Sequence, residues 1–119
     1  MDHCIFCKII NKKVNSEVIY KDKEFIAFKD INPKAPVHVL VIPQKHIESV
    51  NDLKEADKEL IGGLILTAQK VTEKLGIKNK GYKLAFNVGE GGGQIIDHLH
   101  LHILGGWEAE EKMHNQKIP

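Results

Sequence analysis

Three histidines at alternate positions, His98, His100 and His102, are the residues whose type and spacing most directly suggest chemistry. Successive side chains of a β-strand point to opposite faces. A period of two therefore sets all three imidazoles on one face and Leu99, Leu101 and Ile103 on the other. A single histidine on a strand is ordinarily a satisfied polar group. Three crowded together are costly to bury unless protons, a ligand or a metal satisfy them. Neutral imidazole can spend the same lone pair on a metal or on an electrophile, so a metal site and a nucleophilic site both stay open.

The residues just upstream bear on that choice. Asn87 and the run Gly91-Gly92-Gly93-Gln94 precede the triplet, and bare glycine backbone can bring several N–H donors close to a phosphate. Such a run is more often a flexible loop, but its place four residues before His98 points to phosphoryl or nucleotidyl transfer. At the other end of the chain, Cys4 and Cys7 have C-x₂-C spacing. In a reducing compartment that spacing suggests a metal or redox pair before a structural disulfide; the bland alternative is two small buried thiols.

Periodicity places the elements that must position these residues. Apolar positions 5, 6, 9 and 10 predict a short helix from Cys4 to Lys12. Glu17 to Tyr20 and Phe25 to Phe28 read as strands joined by a polar turn at Lys21-Asp22-Lys23. Val37 to Ile42 is a third strand, with Val37, Val39 and Val41 on one face and His38, Leu40 and Ile42 on the other, ended by Pro43. The stripe Leu60, Ile61, Leu64, Ala68, Val71 and Leu75 predicts one amphipathic helix from about Glu55 to Leu75, with Gly76 as its stop. Gly62-Gly63 inside it costs about 1 kcal/mol per glycine, which suggests close packing on the sheet or simple tolerance. Tyr82 to Val88 and His98 to Leu104 complete five strands, which with one long helix and one short one make an α+β fold.

Composition narrows the classes. The 119 residues are 42% hydrophobic and 28% charged, the balance of an ordinary folded domain, with no repeat or linker that would divide 1–119. A formal net charge of +1 gives no field that argues for nucleic acid or membrane, so an anionic ligand must be held locally. The start lacks a signal-peptide pattern, and no apolar run approaches the roughly 20 residues of a membrane span, so the cytoplasm is the expected location.

The motifs then fit a known family. His98-Leu99-His100-Leu101-His102-Ile103-Leu104 resembles the histidine-triad signature. Ile5-Phe6-Cys7-Lys8-Ile9-Ile10, Ala27-Phe28-Lys29-Asp30-Ile31 and His38-Val39-Leu40-Val41-Ile42-Pro43-Gln44-Lys45-His46 fall in that family's order. Leu104-Gly105-Gly106 is similar to its purine nucleoside phosphoramidase branch, which is usually homodimeric. The resemblance implies that His100 is the nucleophile and forms a nucleotidyl-imidazole intermediate, and that His102 and His38 bind phosphate oxygens. It implies a five-stranded, mainly antiparallel sheet of the histidine-triad fold and a backbone carbonyl fixing the tautomer of His100. Asn87, Gly93 and Gln94 would stabilise the transferring phosphorus, Asp30 would accept ribose hydroxyls, and Phe6, Phe28, Ile31 and Leu40 would wall the base. Many bacterial members also pair the N-terminal C-x-x-C with two histidines, here His46 and His98, in a Cys₂His₂ set suited to one structural Zn²⁺. His3 is a nearby but geometrically awkward competitor.

Two departures qualify the branch. Ile95 stands where that branch commonly has a hydroxyl residue, and the charged tail from Trp107 to Pro119 is longer than expected, with only Met113-His114 similar to the branch's ending. The expected activity is therefore hydrolysis of a purine nucleoside phosphoramidate or a related adenosine 5′-monophosphate derivative. Alternatives are a dinucleoside polyphosphate hydrolase or nucleotidyl transferase using His100 identically, a regulatory module that binds purine nucleotide without turnover, and a metal-binding protein with the triplet itself as metal centre.

Overall fold

The computed structural model describes residues 3–108. The Met113-His114 resemblance and most of the tail lie outside them. Five strands, β1 (Val18–Lys21), β2 (Phe25–Lys29), β3 (Val37–Pro43), β4 (Tyr82–Ala85) and β5 (Leu101–Gly105), form one sheet in the order β1-β2-β3-β5-β4. Every neighbouring pair is antiparallel.

Two helices cover opposite faces. Helix α2 (Lys58–Lys74) lays Leu64, Ala68 and Val71 against Val39, Val41, Leu101 and Ile103. Helix α1 (Ile5–Ile10) brings Phe6 and Cys7 to Ile26, Phe28, Leu40 and Ile42 on the other side. The alternation in β3 thus sends its valines to α2 and its even positions to α1. Cys4 caps α1, its Sγ accepting from the Cys7 amide at 3.4 Å.

The long helix begins later than expected, because Glu55–Asp57 forms a separate 3₁₀ turn in which Asp57 accepts the Lys54 amide at 2.9 Å. It stops where Gly76 requires: Gly76 takes φ +75°, its N–H bonds Glu73 O at 3.1 Å, and Ile77 N–H reaches back to Thr72 O at 3.0 Å. That is a Schellman ending, with the carbonyls of the last turn satisfied and Ile77 buried. The glycine pair divides. A Cβ on Gly63 would lie 3.0 Å from the Phe25 ring, so close packing applies there, whereas one on Gly62 would meet nothing within 4 Å.

Two strand expectations need correction. The strand expected over 98–104 pairs only from Leu101, leaving His98 and His100 ahead of it. Val41 pairs with Leu101, so continuing the register would set Pro43 opposite Leu99, and proline has no N–H to extend the ladder. Leu99 N–H instead bonds Ile47 O at 2.6 Å. Likewise β4 ends at Ala85 rather than Val88, because its last partner is His102 and β5 offers little beyond it.

Candidate functional site

Cross-strand register assembles the site on the α1 face. One row contains His38, Leu104 and Lys83; the next contains Phe28, Leu40, His102 and Ala85. Asp30 joins the first row through its N–H to His38 O at 3.0 Å. Leaving the ladder does not disturb the alternation at the start of the triplet. Leu99 still packs in the α2 core, and Phe6 stands edge-on to the rings of both His98 and His100, with centroids 5.9 and 5.2 Å away.

The hydrogen bonds fix which nitrogens are free. His100 Nδ1 lies 2.7 Å from His98 O, and a carbonyl can only accept, so Nδ1 carries the proton and Nε2 keeps its lone pair. The Lys34 N–H donates to His38 Nδ1 at 3.0 Å, leaving the proton of neutral His38 on Nε2, which donates to His102 Nδ1 at 2.9 Å. The proton of neutral His102 is therefore on Nε2, a buried atom with no partner among the described residues. Asp30 Oδ2 also faces His38 Nε2, at 3.5 Å.

Burial keeps these rings neutral. It lowers His100 and His38 below the ordinary imidazole value, outweighing the carboxylate of Asp30 that would raise both. His102 is pushed down to about 4, first by burial and then by the adjoining His100 and His38. Asp30, His38 and His102 could be taken as a metal cluster from proximity alone. The tautomers argue otherwise, since His38 turns an N–H and not a lone pair toward the other two.

Beside the triad, the predicted cysteines and histidines do converge. Cys4 Sγ, Cys7 Sγ and one nitrogen each of His46 and His98 all lie within 4.8 Å of one another. His98 Nε2 donates to Pro43 O at 2.9 Å, which leaves its Nδ1 lone pair facing Cys4 Sγ at 3.5 Å and Cys7 Sγ at 3.7 Å. His46 Nδ1 is 3.3 Å from Cys7 Sγ. A tetrahedral zinc with bonds of about 2.3 Å to sulfur and about 2.0 Å to nitrogen separates those two ligand atoms by about 3.5 Å, so the donor set fits the ion. The outward N–H of His98, held by a carbonyl, is the usual support of a metal-bound imidazole. Burial pushes the Cys7 thiol up to about 11, with the hydrogen-bonded Cys4 adding to the rise, so a cation would be needed to hold it as thiolate. The exposed His3 is not part of the set.

A cavity of about 610 Å³ opens over this face, lined by His38, His100 and His102 together with Phe6, Phe28, Asp30, Ile31, Leu40, Asn87 and Gly93. His98 and Gln94 do not line it. Gln94 spends its amide on the glycine loop: Oε1 accepts the Gly89 N–H at 3.0 Å, and Nε2 donates to Glu48 O at 2.7 Å and Ile96 O at 3.0 Å. Asn87 Nδ2 donates to Gly92 O at 2.9 Å, and Gly93 holds φ +85°, a conformation that favours glycine. Sequence reasoning passed over Lys83, which lines the cavity from β4; its signal was the same period of two, running 83, 85, 87. A second hollow of about 580 Å³ between Lys45 and Asp57 touches only His46 among the predicted residues.

Comparison with known proteins gives the arrangement its family. A family model described as "Scavenger mRNA decapping enzyme C-term binding" matches residues 3–118. Protein HitA of Neisseria gonorrhoeae is 42% identical over 105 residues, covering 88% of this chain and 97% of its own. The chain belongs to the histidine-triad family. A solved HIT family hydrolase from Clostridium thermocellum superposes with a TM-score of 0.89 at 45% identity, over 95% of this chain and 98% of that one. Another from Legionella pneumophila gives 0.86 at 44% identity, over 89% and 95%. The five-stranded antiparallel sheet with one long helix is the histidine-triad fold, and no helix among the described residues is long and apolar enough to cross a membrane.

Proposed function

We propose that this histidine-triad protein is a nucleotide hydrolase that cleaves purine nucleoside phosphoramidates, or related adenosine 5′-monophosphate derivatives, through a nucleotide carried on His100. The observation that carries the reading is the pinned tautomer of His100, whose Nδ1–H is held by the His98 carbonyl while its Nε2 lone pair stays available at the cavity. The solved relatives named as hydrolases support the reaction class.

The nucleoside lies toward β2, with its base among Phe6, Phe28, Ile31 and Leu40 and its ribose hydroxyls on Asp30. His100 Nε2 attacks the α-phosphorus as the P–N bond breaks, and the departing nitrogen takes that electron pair and a proton from solvent. Water then bonds to phosphorus, the N–P pair returns to His100, and the proton released restores the balance. His102 Nε2–H, oriented through His38, donates to a phosphate oxygen; such aligned donors stabilise charge without reorganising. Asn87 and Gly93 border the same phosphate, and Gln94 acts by bracing their loop.

Mass spectrometry of rapidly quenched enzyme with an adenosine phosphoramidate tests this. The wild type is expected to carry a nucleotidyl adduct that His100→Ala lacks, with turnover down by about 10³ or more; undiminished turnover by the variant overturns the proposal.

A structural Zn²⁺ held by Cys4, Cys7, His46 and His98 belongs to the same reading. It would tie α1 to the segment that presents His100 and supply folding free energy, with no part in the chemistry. Metal analysis should find about one zinc per chain, lost in Cys4→Ala and kept in His102→Ala. Zinc lost in His102→Ala would place a metal in the triad instead. The homodimer is carried on the resemblance; β4 has no strand partner on its outer edge among the described residues, and light scattering decides the oligomeric state.

A further inference from the structure

The cavity must hold an anionic ester, yet its histidines bring dipoles without net charge. His38 and His102 form a neutral donor–acceptor chain from the Lys34 amide to the open Nε2–H of His102. Positive charge at the cavity comes from three lysines, Lys29, Lys34 and Lys83. Two are engaged elsewhere: Lys29 Nζ pairs with Glu17 at 2.9 Å, and Lys34 Nζ donates to Asn32 O at 3.2 Å. Lys83 is half-buried, and among the described residues it has no ion pair or hydrogen-bond partner for its ammonium.

Register fixes where that ammonium stands. Lys83 pairs with Leu104 and Ala85 with His102, so Lys83 shares the cavity face and is a diagonal neighbour of His102. Asp30 occupies the far end of the same row, across β3 and β5. The attacking and leaving atoms must be in line through phosphorus. That sets the leaving atom opposite His100 Nε2; with the nucleoside over β2 and β3, the cavity wall left to the leaving group is the β4 side, where Lys83 and Ala85 line it.

We propose that Lys83 is the specificity-determining residue of the leaving-group subsite, where its ammonium anchors an oxyanion, carboxylate or phosphate, carried by the leaving group. The inference rests on the His100 reading and deepens it. A half-buried cation facing a low-dielectric cavity makes a charge-assisted bond of useful strength to such an anion, and a neutral leaving group of equal size leaves the ammonium without that partner.

The test compares adenosine phosphoramidates of glycine, with its free carboxylate, and of glycinamide, with none. Diadenosine tetraphosphate serves as the phosphate arm. The ratio of kcat/KM for glycine over glycinamide is expected to fall about tenfold in Lys83→Met, chiefly through KM, and to recover in Lys83→Arg. The ratio is unaffected by any unfolded fraction of a variant. A fall in the carboxylate arm, or in the tetraphosphate arm measured against glycinamide, supports the anchor and identifies its anion. Unchanged ratios in both arms, with a nucleotidyl adduct still forming on His100, overturn the Lys83 inference alone. No adduct with any substrate overturns the His100 reading and this inference with it.

Discussion

Leu99, Leu101 and Ile103 occupy one side of the segment entering β5, and His98, His100 and His102 the other; the two sides are ordered by different forces. On the α2 side, contact between apolar surfaces suffices, and any side chain of the right volume serves. On the α1 side each ring is held by a directed hydrogen bond with a named partner: His98 donates to Pro43 O, His100 donates to His98 O, and His102 accepts from His38 Nε2–H. The first kind of order sets stability. The second decides which nitrogen faces the cavity, and it does so with neutral groups. That is why a face made of buried imidazoles need not be a metal centre along its whole length.

The contrast can be broken most directly by truncating one residue from each side. Leu101→Ala should cost about 2–5 kcal/mol in urea unfolding while turnover per folded molecule falls little, whereas His100→Ala should lose its activity at a smaller cost in stability. Comparable effects of the two on both quantities would mean that the faces are not separable.

Acid should next find the histidine face. In the folded chain His102 sits at about 4, below the ordinary 6.5 that it regains on unfolding. Its contribution is thus fully present above pH 6.5 and is lost as pH falls toward 4, because the unfolded state takes up the proton first. The urea midpoint should be lower at pH 5 than at pH 7.5, and the gap should narrow in His102→Gln. A gap of the same size in that variant would assign it to other groups.

The smallest effects lie within α2. Gly62→Ala should stabilise by about 0.5–1 kcal/mol, since its Cβ meets open space and alanine favours the helix. Gly63→Ala should destabilise by about 1 kcal/mol or more by pressing on the buried Phe25 ring. Thermal melts of the two variants moving in the same direction would mean that the packing of α2 on the sheet is looser than the contact at Phe25 indicates.

Much of this was legible in the chain itself. Alternation at 37–42 and 98–103 fixed which residues share a face, the stripe from Leu60 to Leu75 fixed the helix that covers one face, and Gly76 fixed its end, because side-chain periodicity and left-handed glycine are local properties. The spacing of Cys4 and Cys7 announced a pair of ligands, and the histidine signature announced a family. Only the tertiary structure decided the tautomers, since they depend on carbonyls and amides from residues as far apart as Pro43 and His98. It also decided that β5 starts at Leu101, that Gln94 braces a loop and does not line the cavity, and that Lys83 stands in the row of His38. A chain's pattern says which way a residue faces; what it faces depends on strands that meet only when the sheet is built.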